Sequence, residues 1–238
     1  MAQLLILSGP SCVGKGPLLA ALRRVYPELA FGQPVRYTSR ARRPGETDGV
    51  EFHFRSAEEI RALPPDRFLV GPVRNQWQAL DLEEVETLLQ QHERVLTELY
   101  PPMVPPLLEH PRFRAAAAQW EVRTVFITPL TPEEQQALAA HSPERPVEEI
   151  VADVMRIKQI WRALKQGKLL TAAELEDIAI RAGQAWAEMQ YAPAYTDVIV
   201  NHDGEESDHW RFTPPLGDAG RTLRALARIM GAGRKKAS

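Results

Sequence analysis

The chain has 238 residues, of which 44% are hydrophobic and 25% charged, a composition typical of a globular domain that can bury a sizeable core. Its 29 basic and 31 acidic residues give a formal net charge of -2, so overall charge does not indicate a nucleic-acid partner. A single cysteine, Cys12, excludes an internal disulfide framework and fits a reducing compartment. The apolar run at residues 3–8 is too short for a signal peptide or membrane span, so we expect a cytoplasmic protein with no membrane partner.

Strand-like and helix-like patterns alternate along the chain. The predicted strands are residues 3–8, 34–38, 51–54, 68–73, 94–99, 122–128 and 197–201. The predicted helices are residues 17–25, 81–91, one opened by Thr131-Pro132, 147–191 with a break near Gly167, and 218–230. This alternation predicts an α/β fold with a parallel sheet. Residues 101–106 and 115–118 are compositionally simple, and the basic tail at 234–236 is expected to be a solvated end.

One apolar stripe is expected in the second half of the long helical region. Thr171 and Glu174 have the spacing of a capping box that opens this half. The stripe consists of Leu175, Ile178, Ala182, Ala185 and Met189.

A glycine-rich loop follows the first predicted strand and precedes the first predicted helix. Its residues are Gly9, Pro10, Ser11, Cys12, Val13, Gly14, Lys15 and Gly16. Glycines let the backbone wrap so that successive N–H groups point at phosphate oxygens, and the following helix adds its positive N-terminal end. We therefore predict that this loop binds ATP, with Lys15 on the β- and γ-phosphates. A simple glycine-rich turn is the alternative.

The position after Lys15 departs from the usual phosphate loop. A serine or threonine normally stands there and its hydroxyl helps to hold Mg²⁺. Here the position is Gly16, followed by Pro17, so neither residue supplies a hydroxyl. We expect Mg²⁺ to be held by water, by the nucleotide, or by groups such as Ser11 or Glu98, with Glu98 acting through water. Weak metal binding or an inactive protein is the alternative.

An arginine-rich segment lies about 25 residues further along the chain. Arg40, Arg42 and Arg43 precede a Pro-Gly turn and form a compact cationic group that suits bidentate phosphate binding. A solvated run of surface charges is the alternative. The segment from Thr38 to Phe54 resembles the Thr-Arg-x-x-Arg-x-Gly-Glu-x-x-Gly-x-x-Tyr-x-Phe motif of guanylate kinases. The chain thus resembles a divergent member of that family, most strongly over residues 3–54 and 172–203.

The resemblance implies a fold and a set of site residues. The fold is the three-layer sandwich of P-loop NTPases with a parallel central sheet, in one domain over residues 1–238. Its core is about 1–33, 94–130 and 192–238, its acceptor-binding region about 34–93, and its helical lid about 131–191. Arg40 and Arg43 match the arginines that grip the acceptor phosphate, Glu46 the glutamate that supports them, and Phe52 a phosphate-binding tyrosine whose hydroxyl is missing.

Three further matches lie elsewhere in the chain. Asn201 matches an asparagine on the adenine side, and Glu98 preserves one carboxylate of the family's Asp-x-Asp strand end. Arg181 matches a lid arginine that reaches the transferring phosphate, with an ordinary surface arginine as the alternative. Trp77 is a candidate for stacking on a base or sugar, with a core aromatic as the alternative.

The groups that read guanine in the family are not matched. The guanine-reading glutamate aligns with Val70, a base-reading serine with Arg36, and a Tyr-Gly-Ser segment with Gln78-Ala79-Leu80. The lid arginines are replaced by residues 139–142, followed by an enlarged helical insert to about residue 170. A second insert, residues 203–217, is a candidate metal site or a solvated acidic loop.

These observations lead to three functional hypotheses. The first is phosphoryl transfer from ATP to a nucleoside monophosphate, with GMP as the first acceptor. The second is a sugar-phosphate kinase of the ribose 1,5-bisphosphate type, which needs no base recognition. The third is a non-catalytic module that binds a nucleotide or phosphopeptide. The retained loop and Lys15 favour an enzyme, because a peptide-binding module has no use for an ATP cradle.

Overall fold

The computed structural model describes residues 1–43 and 45–232. Pro44 and the basic tail at 234–236 lie outside the described residues. Among the described residues, no helix has the length and apolar character needed to cross a membrane. The chain divides into two compact units. Unit 1 comprises Met1–Ile6 and Phe31–Arg123, and unit 2 comprises Leu7–Ala30 and Thr124–Ser238.

Two four-stranded sheets are formed by the described residues. The strands are β1 (Ala2–Ser8), β2 (Tyr37–Thr38), β3 (His53–Phe54), β4 (Phe68–Val73), β5 (Gln76–Asp81), β6 (Arg94–Glu98), β7 (Trp120–Thr128) and β8 (Asp197–Val200). The first sheet has the order β6–β1–β7–β8, with β7 and β8 parallel. The second has the order β3–β2–β5–β4 and belongs to unit 1. The α/β fold with a parallel central sheet is confirmed.

Among the described residues, most of the longer helices follow the sequence signals. The helices are α1 (Lys15–Val25), α2 (Ala57–Arg61), α3 (Leu82–Gln91), α4 (Val104–Glu109), α5 (Pro111–Ala117), α6 (Pro132–His141), α7 (Val147–Lys165), α8 (Ala172–Gly183), α9 (Ala185–Met189) and α10 (Gly217–Ile229). The short helices α2, α4 and α5 were not predicted. Asp81 caps α3 by accepting hydrogen bonds from the backbone N–H groups of Glu83 and Glu84. Thr131 and Glu134 form the predicted capping box of α6.

Three parts of the sequence interpretation were wrong. Strand β5 was missed because the turn before it uses Arg74 in a left-handed conformation (φ 57°) instead of the glycine that usually marks such a turn. Helices α4 and α5 were not predicted, because residues 101–106 and 115–118 were noted only as compositionally simple; the prolines of both helices occupy first-turn positions. Leu175 is 44% exposed and lies off the buried stripe.

Ala182, Ala185 and Met189 of that stripe belong to a hydrophobic cluster in unit 2. Its buried members include Val151 and Met155 of α7, Ala182 of α8, and Ala185 and Met189 of α9. The cluster also contains Cys12 of the glycine-rich loop, which is 3% exposed. The helical region is therefore packed directly onto that loop.

Candidate active site

Two glycines of the loop adopt conformations and approaches that other residues disfavour. Gly9 has φ 143°, and a Cβ there would lie 2.3 Å from the carbonyl oxygen of Ile127. Gly14 has φ 99°, and a Cβ there would lie 2.6 Å from Nδ2 of Asn201. Both distances are shorter than side chains tolerate, so the path of the loop depends on glycine at these positions.

Lys15 is held inside the loop. Its Nζ donates hydrogen bonds to the carbonyl oxygens of Gly9 at 2.7 Å and Pro10 at 3.0 Å. Helix α1 begins at Lys15, so the free N–H groups and positive dipole end of an 11-residue helix are next to the ammonium group. The lysine, the helix end and the curved backbone together form an anion site suited to phosphate oxygens.

Asn201 supports the loop from the end of β8. Its side chain is fully buried, and its Nδ2 donates a 2.7 Å hydrogen bond to the carbonyl oxygen of Val13. Its backbone N–H donates to the carbonyl oxygen of Thr128 at 2.9 Å. The buried Oδ1 has no hydrogen-bond partner among the described residues. The asparagine thus fixes one turn of the loop against the sheet.

Cys12 joins the loop to the surrounding helices and to the second insert. The backbone N–H of Glu205 donates a 3.0 Å hydrogen bond to the Cys12 carbonyl oxygen. Burial raises the pKa of the Cys12 thiol to about 12, a shift that nearby Arg162 partly opposes. A protonated, buried thiol is a packing group and not a nucleophile at neutral pH.

Residues 203–217, the acidic insert, are tied to α7 by three ion pairs. Lys158 pairs with Glu206 at 3.0 Å, Arg162 with Glu205 at 3.1 Å, and Lys165 with Asp208 at 3.1 Å. Within the part of the chain that the structure describes, no group of three or more His, Cys, Asp and Glu side chains could hold a metal ion. The metal-site alternative for the insert is therefore wrong, and its carboxylates are paired instead of simply solvated.

Arg181 lies in the last turn of α8. Its guanidinium forms an ion pair with Asp177, one turn earlier, and its Nε donates to Asp177 Oδ1 at 3.2 Å. The side chain is only 12% exposed. It is therefore not an ordinary surface arginine.

In unit 1, the arginine segment forms a small ordered loop around Glu46. Arg40 donates two hydrogen bonds to the Glu46 carboxylate, at 2.7 and 2.5 Å. The backbone N–H of Arg43 donates a third, at 2.8 Å. The side-chain hydrogen bond from Arg40 is the main cause that lowers the pKa of Glu46. The carboxylate is ionised at neutral pH and orients both arginines, here called the arginine fork.

The ring of Phe52 packs against two guanidinium groups. The guanidinium carbon of Arg40 lies 5.0 Å from the ring centroid, and that of Arg36 lies 4.9 Å from it. Burial lowers the pKa of Arg36, while the charge of Glu98 raises it and that of Arg40 lowers it. Phe52 supplies no hydroxyl, but its face orients two cations by stacking.

Trp77 and Glu98, two further candidates for the acceptor site, are not part of the arginine fork. Trp77 is half-buried and packs against the cluster of Ile60, Phe68 and Ala79, with Arg61 over its ring at 5.6 Å. Its environment is that of a partly covered core aromatic. Glu98 is half-buried at the end of β6.

The phosphate loop lacks the side-chain hydroxyl that usually helps to hold Mg²⁺. A resident Mg²⁺ needs oxygen ligands, and position 16 provides none from its side chain. The described residues also contain no suitable cluster of metal-binding side chains.

The sequence reasoning missed two groups that act on the site. The cations of α7 that hold the acidic insert carried no recognisable motif, although their i, i+4, i+7 spacing placed Lys158, Arg162 and Lys165 on one helix face. Arg36 was noted only as an unmatched position. Its proximity to Phe52 and Arg40 is a tertiary relationship that linear spacing does not reveal.

Comparison with known proteins identifies a consistent set of relatives. A sequence model of the guanylate kinase family matches residues 1–179. A guanylate kinase from Idiomarina loihiensis is 27% identical over 209 residues, covering 87% of this chain and 82% of the relative. One from Synechococcus sp. (strain JA-3-3Ab) is 51% identical over 61 residues, which is 26% of this chain.

Local matches of this kind are short relative to the proteins concerned. The aligned stretches span only 27%, 32% and 31% of the length of three such relatives. A crystal structure of guanylate kinase from Anaplasma phagocytophilum superposes with a TM-score of 0.56 at 18% identity, covering 99% of this chain and 88% of that one. At this identity the superposition supports the fold alone.

Proposed function

Because the chain belongs to the guanylate kinase family, we propose that it transfers the γ-phosphoryl group of ATP to the phosphate of a nucleoside monophosphate, with GMP as the first acceptor. The relatives named above are guanylate kinases, and this chain retains a phosphate loop with its lysine. We further propose a cytoplasmic location, which suits a protein with one unpaired cysteine and nucleotide substrates.

The observation that carries this proposal is the conformation of the phosphate loop. Gly9 and Gly14 take up positive φ angles, and Lys15 Nζ is bonded to carbonyl groups of the same loop. This arrangement binds phosphates and has no purpose in a module that recognises only a peptide. It therefore favours an ATP-dependent enzyme over the non-catalytic hypothesis.

The residues of each unit receive distinct roles in this proposal. In unit 2, the loop from Gly9 to Gly16 binds the ATP phosphates, Lys15 follows the charge of the transferring group, and Asn201 keeps the loop in place. Arg181 neutralises charge on that group after leaving Asp177. The nucleotide itself would carry Mg²⁺ into this site, and the ion would supply charge neutralisation there.

Unit 1 binds the acceptor. Arg40 and Arg43 hold its phosphate, and the hydrogen bonds that they donate to Glu46 keep the fork preorganised before the acceptor arrives. Phe52 orients Arg40 from its ring face. Phosphoryl transfer needs positioning and electrostatic stabilisation but no covalent intermediate on the protein, so these polar groups suffice.

The proposal is tested by ADP formation with ATP, Mg²⁺ and a panel of acceptors. The panel contains GMP, dGMP, AMP, CMP, UMP and ribose 1,5-bisphosphate, and Lys15→Ala is the control for contaminating kinases. We expect GMP-dependent turnover that Lys15→Ala abolishes. Lys15-dependent turnover with ribose 1,5-bisphosphate alone would favour the sugar-phosphate hypothesis. Val70, which aligns with the guanine-reading glutamate of the family, has a hydrocarbon side chain and is compatible with an acceptor that has no base. If calorimetry detects no ATP binding, the protein is not a kinase.

A further inference from the structure

Arg36 lies beside the arginine fork but outside the family motif. It precedes β2, and its backbone carbonyl accepts a 2.8 Å hydrogen bond from the N–H of His53. Its guanidinium carbon is 4.9 Å from the centroid of Phe52, the ring that also carries Arg40 at 5.0 Å. One aromatic ring therefore brings together a fork arginine and a cation to which no role has been assigned.

The two arginines differ in how their charge is compensated. Arg40 is held by a bidentate pair with Glu46. Arg36 makes no side-chain hydrogen bond and no ion pair with the residues that the structure describes, and Glu98 influences it only as a nearby charge. Burial lowers the pKa of Arg36, and the charge of Arg40 lowers it further. The Arg36 guanidinium remains charged, because its ordinary pKa is far above neutrality.

Arg36 is half-buried, and a partly desolvated cation without a bonded acid is unfavourable unless it serves a ligand. Stacking on a ring uses the face of a guanidinium and leaves its N–H edges available for bidentate hydrogen bonds. The mutual repulsion of Arg36 and Arg40 is relieved when an anion binds both. The stacking, the missing partner and the neighbouring cation all indicate an anionic ligand.

We propose that Arg36 is a third phosphate-binding arginine of the acceptor site, donating with Arg40 to the oxygens of the acceptor phosphate. This inference rests on the proposed function, because it takes the arginine fork as the place where the acceptor phosphate binds. It gives Phe52 a specific part, which is to align two guanidinium groups. The phosphate is then recognised by three charges instead of two.

The expected consequence is a selective loss of phosphate recognition in Arg36→Met. A lost charge-assisted hydrogen bond corresponds to about 10- to 100-fold in affinity, so the dissociation constant of GMP should rise by that factor. Guanosine has no phosphate, and its affinity should not change. ATP affinity should also be unchanged. Because a partly desolvated charge is removed, the melting temperature of Arg36→Met should equal or exceed that of the wild type.

Two further variants separate a binding role from a structural one. Arg114→Met removes an exposed arginine of α5 in the same unit and should leave GMP affinity within about twofold of wild type. Arg36→Lys keeps the charge but loses the planar donor edge, and should give an intermediate affinity. Binding is measured by calorimetry with the full chain, and folding by thermal unfolding of each variant.

Each result decides the proposal. A fall in the ratio of GMP to guanosine affinity in Arg36→Met, without loss of folding, supports it. Equal losses for GMP and guanosine would overturn it, because Arg36 would then contact the base or ribose. Unchanged GMP affinity would also overturn it.

Failure of the proposed function is recognised separately. If the wild type neither binds nor phosphorylates a nucleoside monophosphate, the kinase proposal fails, and inorganic phosphate becomes the probe for Arg36. Phosphate binding that is weakened by Arg36→Met but not by Arg114→Met then supports the inference. Equal phosphate binding by wild type and Arg36→Met, or none by either, overturns it.

Discussion

The side-chain amide of Asn201 donates a 2.7 Å hydrogen bond to the backbone carbonyl of Val13, and both groups are buried. This single contact joins the end of β8 to the middle of the phosphate loop. Its energetic importance comes less from its own strength than from the cost of leaving a buried carbonyl without a donor.

Asn201→Ala should therefore destabilise the protein and weaken ATP binding. The orphaned Val13 carbonyl costs about 1–3 kcal/mol, measurable by urea unfolding, and the loosened loop raises the dissociation constant of ATP. Asn75→Ala, at an exposed turn residue, is the matched control and should stay within about 0.5 kcal/mol of wild type. Equal stability of the two variants would contradict the role given to Asn201.

Gly14→Ala should abolish tight ATP binding. The added Cβ would lie 2.6 Å from Nδ2 of Asn201, and φ 99° is unfavourable for alanine. The strain should cost about 1–3 kcal/mol of stability and shift the loop N–H groups away from the phosphates. Calorimetric titration with ATP is the measurement. Wild-type affinity in Gly14→Ala would show that the loop adapts freely.

Gly16→Ser, unlike Gly14→Ala, should raise the stability of the protein and lower the Mg²⁺ concentration that it needs for activity. A Cβ at Gly16 meets no atom within 4 Å, and the residue is in α1 with no positive φ. Serine also has a better helix propensity than glycine, by a few tenths of a kcal/mol. The new hydroxyl provides an oxygen next to the phosphates, so half-maximal activity should occur at a lower Mg²⁺ concentration. A variant that needs more Mg²⁺ than wild type would contradict this interpretation.

The side chains of Lys158 and Glu206, which form an ion pair, should be energetically coupled. Its side chains are 17% and 16% exposed, so a double-mutant cycle with Lys158→Met and Glu206→Gln should give about 1–3 kcal/mol. Arg156 and Asp153, from the same helix, are 44% and 42% exposed and form the control pair, with coupling below about 0.5 kcal/mol. Equal coupling in both cycles would mean that α7 does not hold the acidic insert.

The pair of Arg40 and Glu46 should make stability depend on acid pH. The pKa of Glu46 is lowered from its ordinary value of 4.5 mainly by the hydrogen bond from Arg40. The stabilisation that the ionised Glu46 carboxylate gives to the folded state is therefore complete above about pH 4.5. It is lost as the pH falls through the lower pKa that Glu46 has in the folded state.

Glu46→Gln should accordingly be less stable than wild type at neutral pH by about 1 kcal/mol, since the pair is partly screened. The difference should shrink as the pH falls below about 4.5 and through the lowered pKa of Glu46, as followed by urea unfolding at each pH. Glu51→Gln, an exposed carboxylate in the same segment, is the comparison. A constant difference across this range would indicate that Glu46 acts through packing and not through its charge.

Local sequence signals predicted most of the elements because their causes are local. The capping residues Asp81 and Thr131 start α3 and α6 as expected, and the glycines of the phosphate loop take up positive φ angles. Strand β5 escaped prediction because the left-handed residue of its turn is Arg74. A conformation supported by tertiary contacts leaves no trace in the composition of the turn.

The same distinction applies to the site. Glu46 was recognisable as a support for Arg40 because the two are six positions apart in one motif. The contacts of Arg162 with Glu205 and of Asn201 with Val13 join residues 43 and 188 positions apart, so no linear pattern contains them. Charge and residue type indicated their chemistry, but only the fold assigned their partners.

Cys12 has a practical consequence for experiments on this protein. It is the single cysteine of the chain, and its thiol is buried and protonated at neutral pH. Alkylating reagents and mild oxidants should therefore leave the native protein unmodified until it unfolds. The wild-type chain is in effect a cysteine-free background, so a cysteine introduced at an exposed position such as Arg42 would carry a fluorescent or spin label selectively.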